Sequence, residues 1–323
     1  MSRRIVSGVI GTGLMIGLMG FAQAQGYPDR PIRVVVPTSP GGLLDTVIRP
    51  LGQKLAESLG QPFVIENRPG ASNIIGIELV ARSRADGYIL LGSTLPLVGK
   101  RSLFSKVPYD AEKDFIPVSL LVASAYVVSV HTSVPVKSVK ELITLARAKP
   151  DTINYSSGGN GTNLHIAAEL LMSLTGMTMT HLSYKGGGPA LLALVSGEAD
   201  LSIPSVAAVL PQVKAGRIRA IAVTSKKRSR LLADVPTVAE AGVSGYEFTS
   251  WIGLLAPAAT PGDIVTKLHQ HIVKALHSSD LSARFAGAGM DVIASSPEEF
   301  RKYLHAELAR YAELVQKRGL RER

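Results

Sequence analysis

The chain has 323 residues, no cysteine and a formal net charge of +10. That length suits two domains of ordinary size, stable by burial alone, and the lack of cysteine excludes a disulfide scaffold and a lipid-anchored cysteine. The positive residues are scattered. Their one compact cluster, Lys226-Lys227-Arg228-Ser229-Arg230, has no aromatic residue interleaved, so it reads as a solvated loop and the charge as mild steering towards anions, with no nucleic-acid partner.

Arg3 and Arg4, the apolar run Ile5 to Phe21 and the small-x-small triplet Ala22-Gln23-Ala24 form the pattern of a secretory signal cleaved near Ala24. Loss of Arg3 and Arg4 takes the charge from +10 to +8. From Gly26 onward no apolar run approaches the ~20 residues that cross a bilayer. A soluble periplasmic protein is therefore expected.

Apolar runs then alternate with helical patterns, which predicts an α/β fold with mainly parallel sheets flanked by helices. Arg33 to Val36 reads as a buried strand and Asp45 to Leu59 as a helix that Pro50 should bend or delay. Phe63 to Glu66 and Ile89 to Gly92 are strands around a helix at Ile75 to Arg82. Val118 to Val130 is longer than one strand needs and suits a crossing between domains. Ser138 to Ala148 is a helix with a Ser138/Glu141 capping box. Strands at Asn154 to Ser156, Met179 to Ser183, Leu201 to Ile203 and Ala220 to Val223 follow, with helices at Thr162 to Thr175 and Pro189 to Ser196. Trp251 to Leu255 is a further strand. Two amphipathic helices, Pro261 to His277 and Pro297 to Arg318, complete the chain, and His269 and His271 on the first of them read as solvated.

Three junctions carry the chemistry. Val34 to Val36 runs into Pro37-Thr-Ser-Pro-Gly-Gly42 and then a helix with Asp45 at its mouth. Tyr155 to Ser157 runs into Gly158-Gly-Asn-Gly-Thr162, with Thr162 or Asn163 as cap. Ser183-Tyr-Lys-Gly-Gly-Gly-Pro189 repeats the pattern and adds a cation at Lys185. A strand, a glycine-rich bend and a helix N-terminus leave backbone N–H donors exposed where anions settle, at the strand ends where open α/β sheets bind ligands. Two such cradles facing each other across a cleft would suit a small carboxylate.

Metal, nucleotide and catalytic readings are weaker. His165 and Glu169 share a helix face but lack a third ligand, and no dinucleotide fingerprint or Walker lysine follows any glycine run. Ser156 or Ser157 near His165 lacks an orienting acid. No metal, cofactor or catalytic residue is expected.

Tyr27-Pro-Asp-Arg-Pro-Ile-Arg33, Pro37 to Asp45, Glu66-Asn-Arg-Pro-Gly-Ala71, Asp86-Gly-Tyr88, Ser157 to Thr162 with His165, Tyr184-Lys-Gly186 and Trp251 to Pro257 together resemble one family. It is the Bug-type extracytoplasmic substrate-binding proteins of tripartite tricarboxylate transporters. The resemblance implies a two-lobed Venus flytrap with two chain crossings: lobe 1 over 26–124 plus 248–323, lobe 2 over 125–247. It implies a monomer that delivers a small organic carboxylate to transporter membrane subunits. By motif, Ser39, Gly41, Gly42, Leu43, Leu44 and Asp45 fall on the first-lobe loop, and Ser72, Asn73, Ser93 and Thr94 on neighbouring strand ends. Ser157, Asn160, Gly161, Thr162, His165, Tyr184, Lys185 and Gly186 fall on the second lobe. Thr38 stands where the family's loop has an aromatic, and Leu43-Leu44 where it has small residues, which points to an aromatic or alkyl carboxylate. The alternatives are an exported hydrolase using the same cleft and a sensory accessory presenting its ligand to a membrane histidine kinase.

Overall fold

The computed structural model describes residues 26–321 apart from Ser39, Gly42 and Ser105. The export signal read over 1–25 lies outside the described residues. In chain order the elements are β1 (Ile32–Val36), α1 (Leu43–Leu59), β2 (Phe63–Asn67), α2 (Ile74–Ala81), β3 (Ile89–Ser93), α3 (Pro96–Leu103), β4 (Phe115–Ala125) and β5 (Val127–His131). Then come α4 (Val139–Ala148), β6 (Asn154–Ser157), α5 (Asn163–Thr175), β7 (Thr180–Ser183), α6 (Gly187–Ser196), β8 (Leu201–Ser202), α7 (Val206–Lys214) and β9 (Ile218–Val223). The last are β10 (Thr249–Pro257), α8 (Gly262–Leu276), α9 (Ser279–Gly287), β11 (Met290–Val292) and α10 (Pro297–Arg318). Helices α3, α7 and α9 were not foreseen in the sequence. Among the described residues no helix is long and apolar enough to cross a membrane.

Two sheets result, one ordered β11-β4-β10-β3-β1-β2 and the other β7-β6-β8-β5-β9. Both are mixed. Strand β1 is parallel to β2 and β3, and β6 is parallel to β7 and β8. Antiparallel pairing is confined to β10 and β5 with their neighbours, and to β11 with β4. The reason is the chain path. The apolar run over 118–130 divides at Tyr126, so that β4 lies in the first sheet and β5 in the second, and β10 returns antiparallel beside β4.

Local sequence explains most boundaries. Helix α1 starts at Leu43 and runs through Pro50 without delay, because its face of Leu44, Val47, Ile48, Leu51 and Leu55 is buried and burial outweighs one forfeited backbone bond. The Ser138 hydroxyl accepts the Glu141 N–H, but the Glu141 carboxylate takes the N–H of Lys137, one residue before the cap. A complete capping box forms instead at Ser296 and Glu299. His269 and His271 are half-buried on either side of the packed face of α8, His271 Nδ1 lying 3.0 Å from Ser58 Oγ.

Helix α10 packs on β4 and α3 of one half and on α5 of the other. Its Phe300 ring meets Trp251 edge to face at 5.5 Å, both fully buried. Fully burying such a side chain contributes about 1.5–3 kcal/mol. Tyr27-Pro-Asp-Arg and Asp86-Gly-Tyr88 clip together: the Tyr27 hydroxyl donates to Gly87 O at 2.8 Å, and Arg30 pairs with Asp86 at 2.9 Å. These motifs stand at the start of β1 and β3, away from the glycine-rich bends.

A Cβ at Gly253, in the middle of β10, would lie 2.2 Å from Phe300 Cζ. Gly253→Ala should therefore destabilise the protein by about 1–3 kcal/mol through overpacking, read as a lowered midpoint in chemical unfolding.

Candidate ligand-binding site

The first bend lies between β1 and α1. Asp45 is buried and accepts the Gly41 N–H at 2.5 Å and the Asn67 side-chain N–H at 3.1 Å, with Arg49 Nε at 3.4 Å. Asn67 also donates to Thr38 O at 3.0 Å and accepts from Arg49 at 2.6 Å. Asp45 and Asn67 thus fix the loop's shape from within. Gly76 of α2 closes the underside, since a Cβ there would lie 2.8 Å from Pro37 Cβ. Gly41 has a φ of 81°, in the left-handed region. Thr38 Oγ1 is buried with no hydrogen-bond partner. Ser39 and Gly42 lie outside the described residues.

Leu44 is buried in the core formed by α1, α8 and the first sheet, and Leu43 packs against the same core. Leu44 thus spends its apolar surface on folding, whereas Leu43 is only half-buried beside the bend. Asn73, with a φ of 81°, starts α2 after a short turn that contains Ser72. Ser93 is buried at the end of β3, and Thr94 Oγ1 lies 3.3 Å from Ser250 Oγ.

The second bend, between β6 and α5, adjoins the third, between β7 and α6. Tyr184 N–H donates to Ser157 O at 2.9 Å and Gly186 N–H to Gly158 O at 3.2 Å. A Cβ at Gly158 would sit 2.9 Å from the Gly186 carbonyl carbon, so the two loops meet backbone to backbone. Thr162 turns its hydroxyl back to Gly159 O at 2.8 Å and leaves α5 without a side-chain cap. Helix α6, starting after Gly186, also has no side-chain cap. Two neighbouring helix starts therefore present first-turn N–H groups on one side, where their dipoles favour an anion. Asn160 and Lys185 are exposed on the loops, while the Tyr184 hydroxyl lies beside Glu198, which pushes its pKa up.

Behind these loops is a buried polar stack. His165 Nδ1 accepts the Gly161 N–H at 3.3 Å. The His181 ring lies 4.6 Å from that of His165 and 4.8 Å from that of Tyr155, and His181 Nε2 is 2.6 Å from Ser157 Oγ. The pairing of His181 with Ser157 superficially suggests a nucleophile and base. Ser157 is fully buried, however, and its hydroxyl accepts the Gly159 N–H at 3.1 Å, so it serves the loop. Glu169 accepts from Tyr155 at 2.9 Å and from Arg318 of α10 at 2.8 Å. Among the described residues no group of three or more His, Asp or Glu side chains could hold a metal.

The two halves meet at Asn163, the first residue of α5. Its side-chain N–H groups donate to Ser250 Oγ on β10 at 2.7 Å and to the Tyr126 hydroxyl between the sheets at 2.9 Å. Its Oδ1 is buried without a partner. Thr94, Ser250, Asn163 and Tyr126 therefore form a continuous polar floor that joins a strand end of the first sheet to a helix start of the second. Thr38, Asn67, Tyr126, Asn163, His181 and Ser250 were not among the predicted site residues; Thr38, Asn67 and Asn163 lay within the motifs, whereas Tyr126, His181 and Ser250 had no sequence signal.

Burial holds His181 below the usual histidine pKa, opposed by the nearby Glu169 charge. With the folded pKa lowered, the unfolded chain takes up a proton first. Stability should fall as pH drops below about 6.5 and level off below the folded pKa. His181→Gln should flatten part of the decline in thermal midpoint between pH 7 and 5.5, the remainder coming from His269 and His271, whose pKa values are also lowered. Gly158→Ala should force the two bends apart and reduce ligand affinity measured by calorimetry, with a smaller loss of stability.

The family described as tripartite tricarboxylate transporter family receptor, TctC, matches residues 47–320. Protein BugT of Bordetella pertussis is 35% identical over 312 residues, covering 95% of this chain and 96% of that one. The solved structure of R. palustris Rpa4515 with adipate has a TM-score of 0.83 and 36% identity, covering 91% of this chain and 98% of that one. MatC from Rhodopseudomonas palustris with bound malate has a TM-score of 0.81 and 32% identity, covering 90% of this chain and 100% of that one. The two helix-flanked sheets thus match the two-lobed fold of periplasmic binding proteins, and the chain belongs to the TctC receptor family of tripartite tricarboxylate transporters, together with the Bug proteins.

Proposed function

We propose that the protein is exported, cleaved near Ala24, and works in the periplasm as a monomeric solute-binding protein. It captures a small organic carboxylate between lobe 1 (26–124 plus 248–323) and lobe 2 (125–247), and hands it unchanged to transporter membrane subunits. One observation carries the reading: two helix starts without side-chain caps, α5 and α6, sit side by side above the Thr94–Ser250–Asn163 floor that leads to the other lobe. Adipate bound to Rpa4515 and malate bound to MatC support a dicarboxylate.

In this reading one carboxylate accepts N–H donors from the loops at Gly158 to Thr162 and Gly186 to Gly188. Ser72, Asn73, Thr94 and the Thr38 hydroxyl meet the ligand from lobe 1. Lobe closure excludes water, and the ligand shifts the population towards the closed form, which the membrane subunits recognise. Asp45, His165 and Ser157 act one step back, by holding the donor loops in place.

Each charge-assisted hydrogen bond contributes about 1.5–3 kcal/mol, roughly ten- to a hundredfold in affinity. Calorimetry with adipate, malate, citrate, terephthalate and benzoate should find micromolar or tighter binding of at least one acid. Thr162→Phe should lower that affinity at least about tenfold and leave the thermal midpoint nearly unchanged. Unaltered affinity would place the ligand elsewhere. Native mass spectrometry of protein from rich medium should show a co-purified acid, released intact on denaturation; a chemically altered product would favour the hydrolase instead.

A further inference from the structure

A second crevice opens between the lobes at the opposite edges of both sheets. The carboxylate loops follow β1, β3, β6 and β7. The crevice instead borders β11 and β4 at one end of the first sheet and the loop after β9 at the far end of the second. Its volume is about 540 Å³, within the range of small-molecule sites. The floor is largely apolar: Ala123 from β4, Ile293 just after β11 and Tyr303 from α10 offer accessible surface, backed by the buried side chains of Leu120, Trp251 and Met290. The opposite wall is the Lys226 to Arg230 segment.

Four cations line the crevice against two acids, Glu247 and Asp291. Arg228 is paired with Glu240 at 2.8 Å, whereas Lys226, Lys227 and Arg230 form no ion pair among the described residues. A lysine-rich loop over plain solvent would be unremarkable. Here the cations overhang an apolar floor contributed by the other lobe, an arrangement that matches a molecule with an apolar body and one negative end.

We propose that this crevice is a second binding site, distinct from the carboxylate cleft, for an amphipathic organic anion such as an aromatic or alkyl monocarboxylate or monosulfonate. The ring or chain lies on Ala123, Ile293 and Tyr303, close above the buried Trp251. The anionic group faces Lys226, Lys227 and Arg230. Because these cations are exposed, binding is modest and salt-dependent.

Trp251 is the only tryptophan and serves as an internal reporter. The mature chain is titrated with 8-anilinonaphthalene-1-sulfonate, with uncharged N-phenyl-1-naphthylamine as the control of similar shape, and energy transfer from Trp251 is followed. The expected result is saturable binding of one anionic probe per chain, weakened at least about tenfold in both K226E/K227E/R230E and K226Q/K227Q/R230Q, and weakened as NaCl rises from about 20 to about 300 mM. Thr162→Phe should leave it unchanged. Equal binding of the uncharged control, or undiminished binding by both triple variants, would reduce the crevice to an adventitious apolar surface and overturn the proposal. So would loss of binding in Thr162→Phe alone, which would place the probe in the carboxylate cleft. Thermal midpoints of the triple variants, whose altered side chains are exposed, verify that folding is retained.

Discussion

Strand β10 is the constraint from which the rest of the molecule follows. It pairs antiparallel with β4 from Thr249 opposite Ala125 to Pro257 opposite Phe115, with two register shifts, and with β3 on its other side. Beside this pairing the chain leaves the first sheet at Tyr126 and re-enters it at Thr249. The crossing segments are short and hydrogen-bonded, the Phe248 N–H reaching Thr224 O at 2.8 Å and the Tyr126 N–H reaching Thr224 Oγ1 at 2.8 Å. The strand ends of one lobe are thereby held opposite the helix starts of the other. Ser250, second residue of β10, is where the two sets touch.

The proposed site has few formal charges near it, and those present are mostly neutralised inside the protein. Asp45 is surrounded by donors from Gly41, Asn67 and Arg49, and Glu169 by Tyr155 and Arg318. Positive potential comes instead from peptide dipoles at α5 and α6, worth about 0.3–1 kcal/mol each at a helix end, and from Lys185 at the surface. Backbone donors cannot swing away as lysine does, so the geometry is fixed before an anion arrives. That fixity depends on Gly158, which lets two loops approach to a distance no side chain would allow.

Much of this could be read in the sequence, because it is encoded locally. The β-branched run before Pro37, the glycines at 158, 159 and 161, and those at 186 to 188 mark strand, bend and helix start within a dozen residues, and all three junctions formed where expected. What escaped is non-local. Strand direction is set by pairing partners far apart in the chain, so the antiparallel insertion of β10 had no local sign. His181 and Ser250 acquire their roles only when β7 and β10 bring them beside Ser157 and Asn163. Leu43 and Leu44 both adjoin the bend, but helix phase turns Leu44 into the core and leaves Leu43 half-buried. The capping box at Ser296-Pro-Glu-Glu299 was legible by spacing and was overlooked in favour of Ser138, where the carboxylate bonds one residue further out.

The central position of β10 also bears on how the chain assembles. All five strands of the β7-β6-β8-β5-β9 sheet come from one unbroken stretch, complete by Val223. The larger sheet must wait for residues 249–257, since until they arrive β3 and β4 have no common neighbour and each exposes an open edge. A chain emerging N-terminus first can finish its later-encoded half before its earlier one. The interval between emergence of Ala125 and of Thr249 is when the open edges of β3 and β4 are most exposed to edge-to-edge pairing, and when a holding chaperone would have most to protect.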